Sequence, residues 1–276
     1  TLLWEFSAPS PIQPDALPDD WSGPSTEFIN AMRPPALSAS AIEAYQRCPR
    51  QYAYSAIYHF NSGEDSYQLF WQATHKTVEQ LHKQLHEPSS QPAPIPGQQE
   101  VKELYNQHWQ ALGGPEAPFA TLYEEHGHEV VEAMRRKLST QQDVTWQARE
   151  PFDIDIAGQK VRVTVDRVEA ATNTNAPVTF VRTRFGKRRG KPAAETRELF
   201  YTLASRQQYP GQNVELRSHN MSTGEIEPIT LTTRKEQGLY ESVEQAIRGL
   251  ERNDYPAQPA EPFRCPTCPF FLICPA

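Results

Sequence analysis

The placement of the cysteines constrains this chain more than any other feature. Three of the four stand in the C-terminal tail, Arg264-Cys265-Pro-Thr-Cys268-Pro-Phe-Phe-Leu-Ile-Cys274-Pro275-Ala276, spaced C-x2-C-x5-C. The fourth, Cys48, lies more than two hundred residues upstream in Tyr45-Gln-Arg-Cys48-Pro49. Four soft thiolates, one remote from the other three, match the ligand count of a tetrahedral metal site or an iron–sulfur cluster. If the four converge, the metal clips the two ends of a domain together. Everything between them is then the body that the clip holds shut. Four cysteines in 276 residues do not make a disulfide scaffold. The expectation is metal-bound thiolates in a reducing compartment, the cytoplasm.

The length suits one large domain or two small ones, with ample material for a core. A mean hydropathy of -0.67 describes a soluble protein. No apolar run is long enough to span a bilayer, and no charged start leads into an apolar stretch, so no membrane partner is expected. The absence of an initiator Met suggests a fragment or a processed product. A net charge of -7 excludes a uniformly basic nucleic-acid coat, and any DNA contact must be a local patch.

Residues 1–36 are rich in Pro and Ser without periodicity and read as an extended leader or linker. The first clear helix opens at Leu37-Ser-Ala-Ser40, where Ser40 and Glu43 form a capping box and Ile42 and Tyr45 face inward. Beyond Cys48-Pro49 comes an aromatic run of Tyr52, Tyr54, Tyr58 and Phe60. A second helix covers roughly Tyr67 to His86, with Phe70, Thr74, Val78, Leu81 and Leu85 at core spacing. His75, Glu79, His82 and His86 fall on a neighbouring face, which reads as solvated and polar, a metal site being the alternative. A Pro-rich loop follows at Glu87–Gln99, then helices at Glu100–Leu112 and Leu122–Leu138.

The texture changes near Trp146. Phe152–Ile156 and Val161–Val165 alternate around Ala157-Gly158-Gln159 and predict a β-hairpin, and Val178–Val181 predicts a third strand. A helix at Glu195–Gln208 precedes a second hairpin, Val214–Asn220 and Ile226–Leu231. A last helix at Glu236–Arg252 leads through Tyr255-Pro256 into the cysteine tail. This order describes an α/β core preceded by a helical region. The division is a leader at 1–36, a helical region at 37–148, an α/β core at 149–253 and a cluster-binding tail at 254–276.

That order, with these residues, resembles the RecB-like branch of the PD-(D/E)XK nuclease superfamily in its iron–sulfur form, known from AddB-type helicase-nucleases and CRISPR-adaptation nucleases. The resemblance covers about residues 37–276. Leu37-Ser-Ala-Ser-Ala-Ile-Glu-Ala-Tyr-Gln-Arg-Cys48-Pro49 looks like the family's opening helix with its first cluster cysteine. Ala73-Thr-His75 looks like the active-site histidine motif, and Val165-Asp166-Arg167-Val168-Glu169 like the strand ending in the metal-binding aspartate. Cys265, Cys268 and Cys274 match the C-terminal trio. The resemblance implies a restriction-endonuclease-like core, a mixed central sheet flanked by helices. It also implies a 4Fe-4S cluster on Cys48, Cys265, Cys268 and Cys274 as a C-terminal staple. Zinc in the same ligands is the alternative, although paired C-x2-C hooks are its commoner arrangement. Apolar Phe270-Phe-Leu-Ile273 is expected to shield the cluster from solvent.

The departures concern catalysis. Active members end the third strand in an acid, a spacer and a lysine; here Arg182 and Arg184 stand at those positions. The next helix normally presents a Gln four residues before a Tyr, and before Tyr201 that position is Arg197. Phosphodiester hydrolysis needs hard oxygen ligands for Mg2+ or Mn2+, and a fixed guanidinium opposes that cation. The expectation is an Asp166–Arg182 ion pair, His75 as a polar core residue and no catalytic metal. Migrated carboxylates from Glu195, Glu198 or Glu169 are the active alternative.

Arg182, Arg184, Lys187, Arg188, Arg189 and Lys191 put six cations in ten residues of an acidic chain. They are read as contacts to the phosphates of single-stranded or forked DNA, against the alternative of a solvated loop. The aromatics from Tyr52 to Phe60 could stack on bases, but read better as core. The function expected is an inactive nuclease domain that binds or guides DNA. By family analogy it belongs with a superfamily 1 helicase domain or subunit in DNA repair or recombination. An active Mg/Mn exonuclease and a scaffold docking a partner subunit are the alternatives. No phosphate-binding G-x-x-x-x-G-K-[ST] loop is present in the chain.

Overall fold

A computed structural model describes residues 25–32, 34, 36–60, 65–86, 94–140, 144–171, 177–184, 195–221 and 223–274, with backbone alone at 82, 85–86, 138–140, 144–150 and 171. Most of the leader, and Lys187, Arg188, Arg189 and Lys191, lie outside the described residues.

After a short helix α1 (Thr26–Met32) and a two-residue strand β1 (Leu37–Ser38), the chain enters α2 (Ala39–Arg47). The residue that caps α2 is Ser38, whose hydroxyl accepts the Ala41 N–H at 3.2 Å. Ser40 lies inside the helix, and Glu43 is drawn away to an arginine, so the expected Ser40 capping box does not form. Cys48 breaks the helix with an extended backbone. Pro49 then starts α3 (Pro49–Tyr52), which runs on into a π-helical turn at Ala53–Ile57.

Three helices form a layer of their own: α4 (Ser66–His86), α5 (Gln98–Ala111) and α6 (Ala120–Thr140). Their apolar faces meet at Phe70, Ala73, Leu81, Val101, Tyr105, Trp109, Val131 and Met134. The long hairpin of β2 (Val144–Ile156) and β3 (Gln159–Ala171) follows. It turns on Ala157 and Gly158, at φ 51° and 76°, the paired positive values that a two-residue primed turn requires. Then come β4 (Val178–Arg184), α7 (Thr196–Gln208), β5 (Val214–Asn220), β6 (Ile226–Pro228) and α8 (Thr233–Glu251).

The six strands make one mixed sheet, ordered β1-β3-β4-β5-β6 with β2 on the other side of β3. Contacts β1–β3 and β4–β5 are parallel and the rest antiparallel. Val161, Val163, Val165 and Phe180 bury against α2, α7 and α8, while Met221 closes the helical layer. The mixed sheet flanked by helices agrees with the architecture expected from the sequence.

One edge of β3 is shared between two short partners. Residues 161 and 162 pair with β1, and residues 167–169 pair with β4. Between these pairings the edge opens at Asp166. On either side of the opening Val161, Val163, Val165 and Val168 bury in the same core. No helix among the described residues is long and apolar enough to cross a membrane.

Candidate functional site

The opening in β3 is filled from α7. Tyr201, fully buried, accepts the Asp166 N–H on its hydroxyl at 2.9 Å. The Asp166 carboxylate accepts the backbone N–H of Thr183 at 2.8 Å. Burial and the nearby Asp166 charge hold the Tyr201 phenol well above its ordinary pKa, so it stays a neutral hydroxyl. Asp166 is thus fixed by main-chain and phenol contacts.

The expected Asp166–Arg182 ion pair is replaced by another. Residues 182 and 184 share one face of β4 because side chains alternate along a strand, and α7 presents Glu195 and Glu198 to that face. Arg182 donates to Glu198 at 2.6 Å and bridges Glu195 at 3.0 Å; Arg184 reaches Glu198 at 2.8 Å and Glu195 at 3.5 Å. Glu198, only 1% exposed, also accepts the Glu195 N–H at 2.7 Å. Burial disfavours the charged Arg182, but Glu198 and Glu195 more than offset it and raise its pKa. The third departure behaves alike. Arg197 grips Glu43 of α2 through Nε at 2.7 Å and through a second guanidinium nitrogen, and this overcomes its burial to raise its pKa. Three guanidiniums and four carboxylates, Asp166 included, therefore interlock α2, β3, β4 and α7.

His75 is half-buried in α4 with its ring 4.1 Å from that of Trp71. Glu79 pairs with Lys83 along the same helix, and the side chains of His82 and His86 lie outside the described residues. A second charged group sits behind the sheet. Arg167 is buried beside Glu169 at 2.7 Å and His219 at 3.3 Å, with Lys137 of α6 at 3.4 Å from the other nitrogen of His219. Burial, Arg167 and Lys137 together push the His219 imidazole down to about 2.

The four cysteines do converge. Cys48, Cys265, Cys268 and Cys274 line one cavity of about 310 Å3, together with Gln51, Tyr54, Ala257, Pro259, Pro262, Phe270 and Phe271. All four are half-buried free thiols. Among the described residues no three His, Cys, Asp or Glu side chains stand close enough to hold a single ion. The thiols ring a space, and a four-thiolate set around an apolar-walled cavity fits a polynuclear cluster in donor chemistry. The tail is also held by main-chain bonds. Arg50 N–H donates to Pro256 C=O at 3.2 Å, Ala260 N–H to Arg47 C=O at 2.9 Å, and the Tyr54 hydroxyl to Ile273 C=O at 3.1 Å. Of the expected apolar shield only Phe270 is buried. Phe271 and Ile273 are exposed and Leu272 is 94% exposed, because a short 3-10 turn at Phe271–Ile273 turns their side chains outward. Tyr54 stacks on the exposed Phe60 and meets Phe270 at a tilt, so Tyr54 is the member of the aromatic run that lines the cavity.

The sequence profile of the PD-(D/E)XK nuclease superfamily matches residues 36–275. The chain belongs to the PD-(D/E)XK nuclease superfamily. No curated protein matches it. Among solved structures it is similar to a protein from Eubacterium rectale named as a candidate exonuclease, with 10% identity, TM-score 0.51 and coverage of 87% of this chain and 91% of that one. It is also similar to SSO0001, with 13% identity, TM-score 0.40 and coverage of 87% and 85%. At 10% identity the likeness to the first of these is one of fold alone.

In this PD-(D/E)XK chain Asp166, Arg182, Arg184 and Arg197 meet at one place, at the open edge of β3 beside α7. Sequence reasoning missed Glu43. Its spacing from Ser40 was read as helix capping, and only the docking of α2 on α7 gives it a basic partner.

Proposed function

We propose that this PD-(D/E)XK domain is of the RecB-like iron–sulfur kind and binds or guides single-stranded or forked DNA without cutting it. The observation that carries the reading is the arginine pair at the end of β4: Arg182 and Arg184 converge on Glu198 and Glu195 where a divalent cation would need free carboxylates. Glu195, Glu198 and Glu169 are the acids through which a relocated active site would work, and all three are engaged by guanidiniums, Glu169 by the buried Arg167. Asp166 is left as a lone hard ligand, already accepting the Thr183 N–H.

A 4Fe-4S cluster on Cys48, Cys265, Cys268 and Cys274 is supported by their convergence on one cavity. When bound it supplies a crosslink between the two ends of the domain. Family likeness supports a superfamily 1 helicase, or a helicase-nuclease of DNA repair or recombination, as the larger setting. DNA contact by Arg182 and Arg184 competes with their carboxylate pairs, so the phosphate-binding role falls mainly to Lys187, Arg188, Arg189 and Lys191.

Fluorescence anisotropy on forked and single-stranded DNA over a salt series tests the reading. Binding should weaken with salt, and neutralising Lys187, Arg188 and Arg189 should reduce the slope of log affinity against log salt by roughly two to three. Binding indifferent to those changes favours a scaffold that docks a partner subunit. Metal-dependent cleavage abolished by Asp166→Ala favours an active exonuclease.

A further inference from the structure

The cysteine cavity is poor in hydrogen-bond donors. Pro259 and Pro262 have no N–H. The N–H groups of Cys48, Cys268, Phe271 and Cys274 are already donated, to the carbonyls of Ala44, Cys265, Cys268 and Phe271. Donors of this main-chain kind are the ones that ordinarily reach the sulfurs of a thiolate-bound cluster and set its potential. The Tyr54 hydroxyl is committed to the Ile273 carbonyl. Among the lining residues one side-chain amide is left, Gln51, one turn beyond Cys48. Among the described residues the Gln51 carboxamide has no hydrogen-bond partner.

We infer that Gln51 is a positioning residue for the cluster, donating its amide N–H to a cluster or thiolate sulfur and so raising the cluster's reduction potential. The inference rests on the iron–sulfur reading given above. A reduced cluster carries one more negative charge than an oxidised one, and a donor stabilises the more negative state more strongly. Without Gln51 the wall consists of Ala, Pro and aromatic carbon, which disfavours added charge. The amide is therefore the one side chain there whose removal alters the redox balance without removing a ligand.

The test is a potentiometric titration of the full chain, reconstituted with iron and sulfide and followed by its visible band and by electron paramagnetic resonance. Gln51→Met, close in size but without a donor, should lower the reduction equilibrium constant about tenfold, which is about 59 mV for a one-electron couple. Gln51→Glu, isosteric but carrying charge in place of the donor, should lower it further. Both should keep the four-cysteine band at wild-type intensity. A Gln51→Met potential equal to wild type would overturn the inference and leave the cluster reading intact. Loss of the band in both variants would make Gln51 a structural support and also overturn it. A wild-type chain that takes up zinc and stays colourless would sink the cluster reading itself, and this inference with it.

Discussion

Glu198 gathers the ion pairs at the end of β4 on one carboxylate. It is buried and accepts from Arg182, Arg184 and the Glu195 N–H, so it serves as the hub that keeps two guanidiniums satisfied. Glu198→Ala strips both of their main partner, and loss of one side of a buried ionic network costs about 3 kcal/mol. Urea unfolding should show that loss, whereas a change under 1 kcal/mol would mean the arginines find other partners. His219 gives the pH counterpart. Folded, it stays neutral down to about 2, against 6.5 for a free imidazole, because it is buried against Arg167 and Lys137. Below about pH 6.5 the unfolded chain takes up a proton that the folded chain refuses. Acid therefore favours unfolding, by up to about 1.4 kcal/mol per pH unit at this group, and the contribution is fully present above pH 6.5. His219→Gln should flatten the pH 4–6.5 part of the stability profile relative to wild type; parallel profiles would contradict the assignment. At this scale the sequence singled out Arg182, Arg184 and Arg197, because each stands at a position that a local motif marks. Their partners were not legible. Asp166 lies just beyond the paired Arg167 and Val181, and its carboxylate accepts the Thr183 N–H, while Glu195 and Glu198 reach Arg182 from α7.

Helices and strands with strong periodicity were readable within a few residues. The span Tyr67–His86 emerges as α4 at Ser66–His86, and the alternating hairpin around Gly158 forms as expected. β2 starts earlier than its clear alternation, at Val144, since pairing with β3 extends the ladder through residues whose own pattern is mixed. Close approaches between elements leave almost no trace in a single sequence, and α8 shows why they matter. Gly238 and Gly249 both sit in this helix. A Cβ on Gly238 would meet nothing within 4 Å, whereas one on Gly249 would lie 2.0 Å from the Tyr45 hydroxyl. That hydroxyl donates to the Asp254 carbonyl at 2.6 Å and ties α2 to the chain beyond α8. Gly238→Ala should stabilise by about 0.5–1 kcal/mol through helix propensity, and Gly249→Ala should destabilise despite the same gain. Thermal melts of the two variants check the pair, and equal shifts would contradict this packing.

At the scale of the whole molecule the cysteine tail folds back on α2 and α3. Main-chain bonds from Arg47 and Arg50 to the tail hold it against α2 and α3. The four cysteines line one cavity although Cys48 lies more than two hundred residues from the rest, and the cluster proposed there would, as a crosslink, restrict the unfolded chain by about 5 kcal/mol in the entropic account. The cysteine spacing made the meeting of the four thiols legible in the sequence, because thiol side chains are few and conspicuous. The tail's solvent-facing side was not visible, since Phe271-Leu-Ile273 reads as apolar shielding until the 3-10 turn sets its direction. At the end of β4 guanidiniums engage Glu195 and Glu198, the carboxylates that a divalent cation would need. Calorimetric titration of Mn2+ into the chain, beside Asp166→Ala, tests most directly whether that engagement excludes the ion. The account predicts indistinguishable isotherms with no stoichiometric uptake in either protein; one Mn2+ bound per chain and lost in Asp166→Ala would contradict it.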